Sequence, residues 1–149
     1  MKESTQELRS NPLWKEAFAI SEYIFDQFDS SSSVLNEKWD TTNKIRNSTN
    51  DMMLHISMAV ASSEGAAAKY DWNSARKSLF AMQTMYLFAC KQDFMDLEPE
   101  WIVRIDKLLE KIDDEFKKSV REIDNQFQEE MDQWLQKYKI WKKIQGTKI

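Results

Sequence analysis

The stretch that decides the fold runs from Pro99 to Gln145: PEWIVRIDKLLEKIDDEFKKSVREIDNQFQEEMDQWLQKYKIWKKIQ. It holds no Gly, and no Pro after its first residue. Apolar side chains recur at Leu109, Ile112, Phe116, Val120, Ile123, Phe127, Met131, Trp134, Tyr138 and Trp141. Steps of three and four residues keep them on one face of an α-helix. Leu109, Val120 and Met131 are eleven residues apart, as are Ile112, Ile123 and Trp134. An eleven-residue repeat averages about 3.67 residues per turn, so the stripe drifts little along a nearly straight rod. At about 1.5 Å per residue such a helix reaches roughly 65 Å. The remainder of a 149-residue chain is too short to cover it, so part of the rod is expected to need a partner. Up to Ile112 the apolar face is wide, with Trp101, Ile102, Ile105, Leu108 and Leu109; beyond Phe116 it narrows to one seam. That change divides a core, residues 1–116, from a coiled-coil-like helical extension, 117–149.

Two Gly and two Pro leave few places to turn, which argues against a sheet protein. The expected fold is all-α: an up-down four-helix bundle whose last helix is extended. Residues 1–10 are expected to fray. Asn11-Pro12 reads as an N-cap followed by Pro at the first helical position. A first helix follows over 12–29, with Leu13, Trp14, Ala17, Phe18, Tyr23, Ile24 and Phe25 at helical spacing. Ser30 to Ser33 break it, because serine side chains compete for the backbone. A second helix is expected from Val34 or Leu35 to Glu64, with the polar run Thr41 to Asn50 open to a kink or to a division into two shorter helices. Gly65 suits a left-handed C′ position. Ala66 to Tyr70 is ambiguous and can continue as helix, and Asp71 or Asn73 can cap a third helix reaching about Met95. Between Leu79 and Ala89 it is apolar nearly all round, a pattern buried on several sides. Three neighbouring helices would hide one stripe of it, so a subunit interface is the expected cover. Glu98-Pro99 starts the fourth helix in the manner of Asn11-Pro12, with Glu100 at the positive end of its dipole.

Net charge is −4, which gives no whole-molecule attraction to nucleic acid or anionic lipid. One cysteine, Cys90, permits no intrachain disulfide and no zinc-finger spacing. The start, Met1 to Ser10, has no apolar signal core. No apolar run approaches the ~20 residues of a membrane span, so a cytoplasmic setting without membrane contact is expected.

The third helix carries a resemblance. Ala75-Arg76-Lys77-Ser78-Leu79-Phe80-Ala81-Met82-Gln83-Thr84-Met85-Tyr86-Leu87-Phe88-Ala89 resembles the third helix of the four-helix-bundle proteins encoded in 23S ribosomal RNA intervening sequences. It is similar in the same way to the accessory variability proteins of diversity-generating retroelements. Ala75, Arg76, Ser78, Leu79, Thr84 and Ala89 match that pattern, with Met82 and Tyr86 in its apolar places. Upstream, Ser57, Glu64 and Gly65 match, whereas Met52 and Met53 stand where the family has arginines. The resemblance covers about residues 12–115. It implies a ring-forming homo-oligomer, commonly a pentamer, and in the retroelement members a basic ring that binds nucleic acid and partners a reverse transcriptase. This chain departs from that pattern in having ten basic against fifteen acidic residues over 1–100, and in its long tail.

Each candidate site has a plainer reading beside it. His55 follows Asp51 by four residues, on one helix face, which would suit a small bundle enzyme. The sequence offers no accompanying nucleophile motif and no paired Glu-x-x-His, so a structural or surface histidine is expected, with no catalytic residue, metal or cofactor. Cys90 closes the apolar run of the third helix and reads as a half-buried structural thiol. From Leu135 onward Lys137, Lys139, Lys142, Lys143 and Lys148 interleave with Tyr138 and Trp141, with no acid. Such residues can neutralise phosphates and stack on bases, and equally complement a helix dipole. The resulting expectation is a non-catalytic homo-oligomeric accessory or adaptor protein. Assembly is assigned to Leu79, Met82, Tyr86, Phe127, Trp134 and Tyr138. Contact with RNA or DNA is assigned to Arg46, Arg76, Lys137, Lys139, Lys142 and Lys143. A scaffold without nucleic acid is the other reading.

Overall fold

The computed structural model describes residues 2–29, 39–62 and 65–147, and the side chains of 6–27, 41–62 and 65–147. The described residues form five helices and no strand: α1 (Lys2–Ser10), α2 (Pro12–Asp29), α3 (Trp39–Ala61), α4 (Gly65–Lys91) and α5 (Pro99–Thr147). The serine break and the start of the second helix, with Glu64, Lys148 and the Trp39 side chain, lie outside the described residues.

The fraying expected of residues 1–10 is not found over Lys2–Ser10. These form α1, which packs on α2 and α3 and places Leu8 beside Trp14 and Phe18. One residue separates the two helices. The Asn11 amide donates to the Leu8 carbonyl at 3.1 Å, while Asn11 Oδ1 accepts from the Leu13 amide at 2.9 Å and the Trp14 amide at 3.3 Å. Asn11 thus ends one helix and caps the next.

The polar run does not split α3, which is one continuous helix ending at Ala61, short of the expected Glu64. Thr49, fully buried in its polar middle, donates from Oγ1 to the Ile45 carbonyl at 2.7 Å, so the hydroxyl is satisfied without leaving the helix. Gly65 takes φ 77°, the left-handed conformation expected of it. Helix α4 begins there, seven residues earlier than an Asp71 cap would set it. Asp71 lies inside the helix, buried, accepting a hydrogen bond from the Ser62 hydroxyl. The other end also differs: α4 stops at Lys91 instead of about Met95. Asp93 adopts φ 59°, the Phe94 amide donates to the Ala89 carbonyl at 2.9 Å and the Asp93 amide to the Cys90 carbonyl at 3.1 Å. This is the paired closure of a Schellman motif, with Asp in the position glycine more often holds. At the start of α5 the Glu98 carbonyl accepts from the Trp101 and Ile102 amides, so Pro99 sits at the first helical position as the sequence suggests.

Helices α2 to α5 pack in a closed cycle, α2 on α3, α3 on α4, α4 on α5 and α5 back on α2. Cross-helix pairs give the directions. Arg76 meets Asp113 and Gln83 meets Asp106, so α4 and α5 are antiparallel. Glu16 meets Arg104 and Tyr23 stacks on Trp101, so α2 and α5 are antiparallel too. Each helix gives one stripe to the core: Ala17, Ile20, Ile24 from α2; Ile45, Met52, Ile56 from α3; Ala75, Leu79, Met82, Tyr86 from α4; Ile105, Leu108, Ile112 from α5. The last buried residue of α5 is Ser119, and from Asp124 to Thr147 every residue is exposed. At about 1.5 Å per residue, roughly 35 Å of helix therefore projects beyond the bundle.

Candidate functional site

The projecting part of α5 carries the longest exposed apolar stripe in the described residues. Phe127 is 63% exposed, Trp134 56% and Trp141 54%. Met131 and Tyr138 fill the places between them. The rings of Trp134 and Tyr138 stack at 5.5 Å and 7°, and those of Tyr138 and Trp141 at 6.0 Å and 27°, so the aromatic side chains form a continuous ladder. Lys137, Lys139, Lys142 and Lys143 surround it, all exposed. Isolated apolar residues on a surface need no explanation, but a contiguous row does.

A second exposed surface lies on the bundle. The cycle of helices covers one stripe of α4 and leaves Phe80, Leu87 and Phe88 exposed. By the antiparallel register of α4 and α5, Leu87 lies level with Val103, which is also exposed, and Phe80 with Leu109. A cleft of about 310 Å³ opens there, lined by Arg76, Phe80, Leu109, Glu110 and Asp113. A third surface, of about 480 Å³, is a groove among α1, α2 and α3. Trp14, Phe18, Phe25 and Met53 form its apolar floor, with Glu22 and Asp26 beside them. Trp14 is fixed by a stack on Phe18 and by donating from Nε1 to Ser57 Oγ at 3.0 Å. Helical spacing on a single helix does not reveal this groove, because α1, α2 and α3 all contribute to it, α1 through Leu8.

The residues assigned to assembly from the sequence divide into two groups. Phe127, Trp134 and Tyr138 are exposed on the tail and available to another chain. Leu79, Met82 and Tyr86 have no exposed area and belong to the core of the chain's own bundle. Their spacing of three and four marks the covered stripe, and the open faces of α4 belong to Phe80, Leu87 and Phe88.

Arg76 is likewise redirected. Its guanidinium donates to Asp113 Oδ1 at 3.0 Å and Asn73 Oδ1 at 2.9 Å, and lies 4.3 Å from the Phe116 ring centroid. It joins α4 to α5 and is already engaged by an acid, so it is not poised for a phosphate. Hydrogen bonds from Lys117 and then Arg76 hold the Asp113 carboxyl below its usual range. Arg46 is half-buried in α3, away from the tail lysines on the sequence and on a different helix.

The structure brings together a polar group that the sequence did not suggest. The hydroxyls of Tyr23 and Tyr86 are 3.2 Å apart, and Tyr86 donates to the Asp96 carbonyl at 3.3 Å. The Cys90 thiol makes a longer contact, 3.8 Å, with the same carbonyl. Burial pushes the Tyr23, Tyr86 and Cys90 groups up from their ordinary values, so all three hold their protons. Such a cluster ties the α4–α5 connection to α2; it supplies no nucleophile, since a reactive thiol needs the opposite shift. His55 is half-buried and Asp51 exposed. Among the described residues no three His, Cys, Asp or Glu side chains converge as a metal ion would require, and no helix is long and apolar enough to cross a membrane.

Comparison with protein-family models, with curated proteins and with solved structures finds no match.

Proposed function

We propose that this chain is a non-catalytic helical adaptor that acts by associating with copies of itself and presenting its tail for assembly. The observation that carries the reading is the exposed stripe of Phe127, Trp134, Tyr138 and Trp141, the last three stacked in a ladder, on a helix that has left its own core. The open strip of Phe80, Leu87 and Val103 adds a second contact area on the body. Aromatic residues at this density are a feature of protein interfaces. The resemblance of residues 75–89 to the intervening-sequence and accessory variability proteins extends the reading to a ring, a pentamer by that likeness, with a reverse transcriptase or ribonucleoprotein as the wider partner. Light scattering on the full chain tests the association: a species of several chain masses is expected, and a monomer at micromolar concentration overturns it.

Nucleic-acid contact is the second reading, favoured by the four exposed lysines and the absence of acid beyond Leu135. Binding to RNA or DNA that weakens steeply with salt, and is lost in Lys139→Glu/Lys143→Glu, is its expected outcome. Binding indifferent to both changes removes the tail from that role.

A further inference from the structure

The charges on the projecting part of α5 are sorted. Between Glu122 and Trp134 stand Asp124, Glu129, Glu130 and Asp132 with no base; between Leu135 and Thr147 stand Lys137, Lys139, Lys142 and Lys143 with no acid. The helix is thus acidic over its first half and basic over its second, while the aromatic stripe runs through both. Trp134 marks the change of sign.

Four of these charges flank the stripe. With about 100° between successive residues, Glu130 and Lys137 fall about 60° and 80° to one side of it, and Asp124 and Lys142 about 60° to the other. None of the four takes part in an ion pair among the described residues.

We infer that the projecting part of α5 pairs antiparallel with that of a second copy, about a two-fold axis at Trp134, so that the acidic half of each lies along the basic half of the other. This rests on the self-association reading above and specifies its geometry. In an antiparallel pair each flank meets the same flank of its mate. Phe127 then lies opposite Trp141 of the second copy, Met131 opposite Tyr138, and Trp134 opposite its own equivalent. Glu130 faces Lys137 and Asp124 faces Lys142, each twice by symmetry. In a parallel pair opposite flanks meet, which sets Lys137 against Lys142 and acid beside acid along the first half.

Size and reach agree with this. Eight aromatic rings, each carrying about 150–250 Å² and here about half exposed, offer on the order of 800 Å². With Met131 and the lysine stems the contact approaches the ~1,200 Å² at which specific interfaces begin. Trp134 lies fourteen residues beyond Val120, roughly 21 Å along the helix, so the two bundles stand about 40 Å apart and do not collide.

Distances between spin labels test the pairing. Cysteines for labelling are placed on the face away from the stripe, Lys118→Cys or Gln136→Cys, in a full-length Cys90→Ala chain. The antiparallel pair predicts axial offsets of about 48 Å at position 118 and about 6 Å at position 136, on top of the same width of the pair, so the distance at 118 is much the longer. Charge reversal is the second arm. Lys137→Glu/Lys142→Glu should weaken association about tenfold or more at low salt, and adding Asp124→Lys/Glu130→Lys should restore it. Equal distances at both positions, set by the width of the pair alone, mean a parallel pair and overturn the geometry while leaving self-association intact. An oligomer with long distances at both positions, or indifferent to the charge reversal, assembles through another surface and overturns it likewise. A monomer at micromolar concentration overturns both readings.

Discussion

Tyr86→Phe separates a core residue from an interface residue on α4. The side chain is fully buried, and its hydroxyl contacts Tyr23 at 3.2 Å and the Asp96 carbonyl at 3.3 Å. Removing the oxygen deprives Tyr23, itself 9% exposed, of its partner, and leaves the Asp96 carbonyl with only the 3.8 Å thiol contact of Cys90. A thiol is a weak donor, so it replaces little. The ring itself stays and no cavity opens. The expected loss is about 1–2 kcal/mol, the penalty for leaving buried polar groups short of a partner. For a domain of this size that is a fall in Tm of roughly 2–8 °C. Circular dichroism melts at one fixed protein concentration measure it, and fixed concentration matters because association stabilises the folded chain. Tyr23→Phe and the double variant complete the cycle, the double losing less than the two singles added by about 0.5–1 kcal/mol. Raised phenol values also fix the sign with pH: the contribution is present below about pH 10 and falls above it, where the unfolded tyrosines ionise first. A Tyr86→Phe chain with unchanged Tm but weakened association would refute the placement of Tyr86 in the core.

The Glu16–Arg104 pair predicts acid sensitivity. Arg104 donates to both carboxylate oxygens, at 2.7 and 3.0 Å, and that hydrogen bonding lowers the Glu16 value below its unfolded one. Its stabilisation is therefore present above about pH 4.5 and lost as pH falls below it, so Glu16→Gln should melt lower at pH 7 and show a flatter acid limb. Gly65→Ala meets no atom within 4 Å but must adopt φ 77°, which should cost about 1 kcal/mol, with Gly65→Asn milder, by urea denaturation. A chain ending after Ile123 should keep the Tm of the parent monomer within about 0.5 kcal/mol of stability, since the last buried side chain is Ser119.

Helix existence was legible because the stripes repeat at three and four residues and the breakers are few. Asn11 and Pro99 each did locally what their side chains favour, so those boundaries fell where the sequence placed them, whereas Gly65 took its left-handed backbone at the start of α4 and not directly after α3, which ends at Ala61. The misplaced boundaries have physical causes as well. Asp71 is a good cap in isolation, yet the Ser62 hydroxyl in the α3–α4 turn holds it inside a helix. Asp93 ended α4 early by accepting a left-handed backbone that composition alone does not assign to aspartate. Helix α1 was hidden because its polar sequence forms a helix against α2 and α3 and has few apolar residues of its own. On α4, an all-round apolar pattern correctly signalled more greasy surface than one bundle covers. Periodicity could not say which stripe the bundle takes, and the buried one proved to be Leu79, Met82 and Tyr86.

The tail constrains how many copies an assembly can contain. A ladder that ends in a two-fold contact is satisfied only in pairs, because an isologous patch binds its own copy and nothing else. An odd ring built through the Phe80, Leu87 and Val103 strip would leave at least one tail of Phe127, Trp134, Tyr138 and Trp141 in water. Two such rings facing each other through their tails would leave none. Native mass spectrometry of the full chain should accordingly show even multiples of 17.7 kDa at low ionic strength, whatever the symmetry of the bundles. Raising salt weakens the charged flanks more than the aromatic seam. Assemblies held partly by the strip should then split first at the tails, halving their mass before any single chain appears. A dominant odd species at low salt would show that the tails do not meet in pairs.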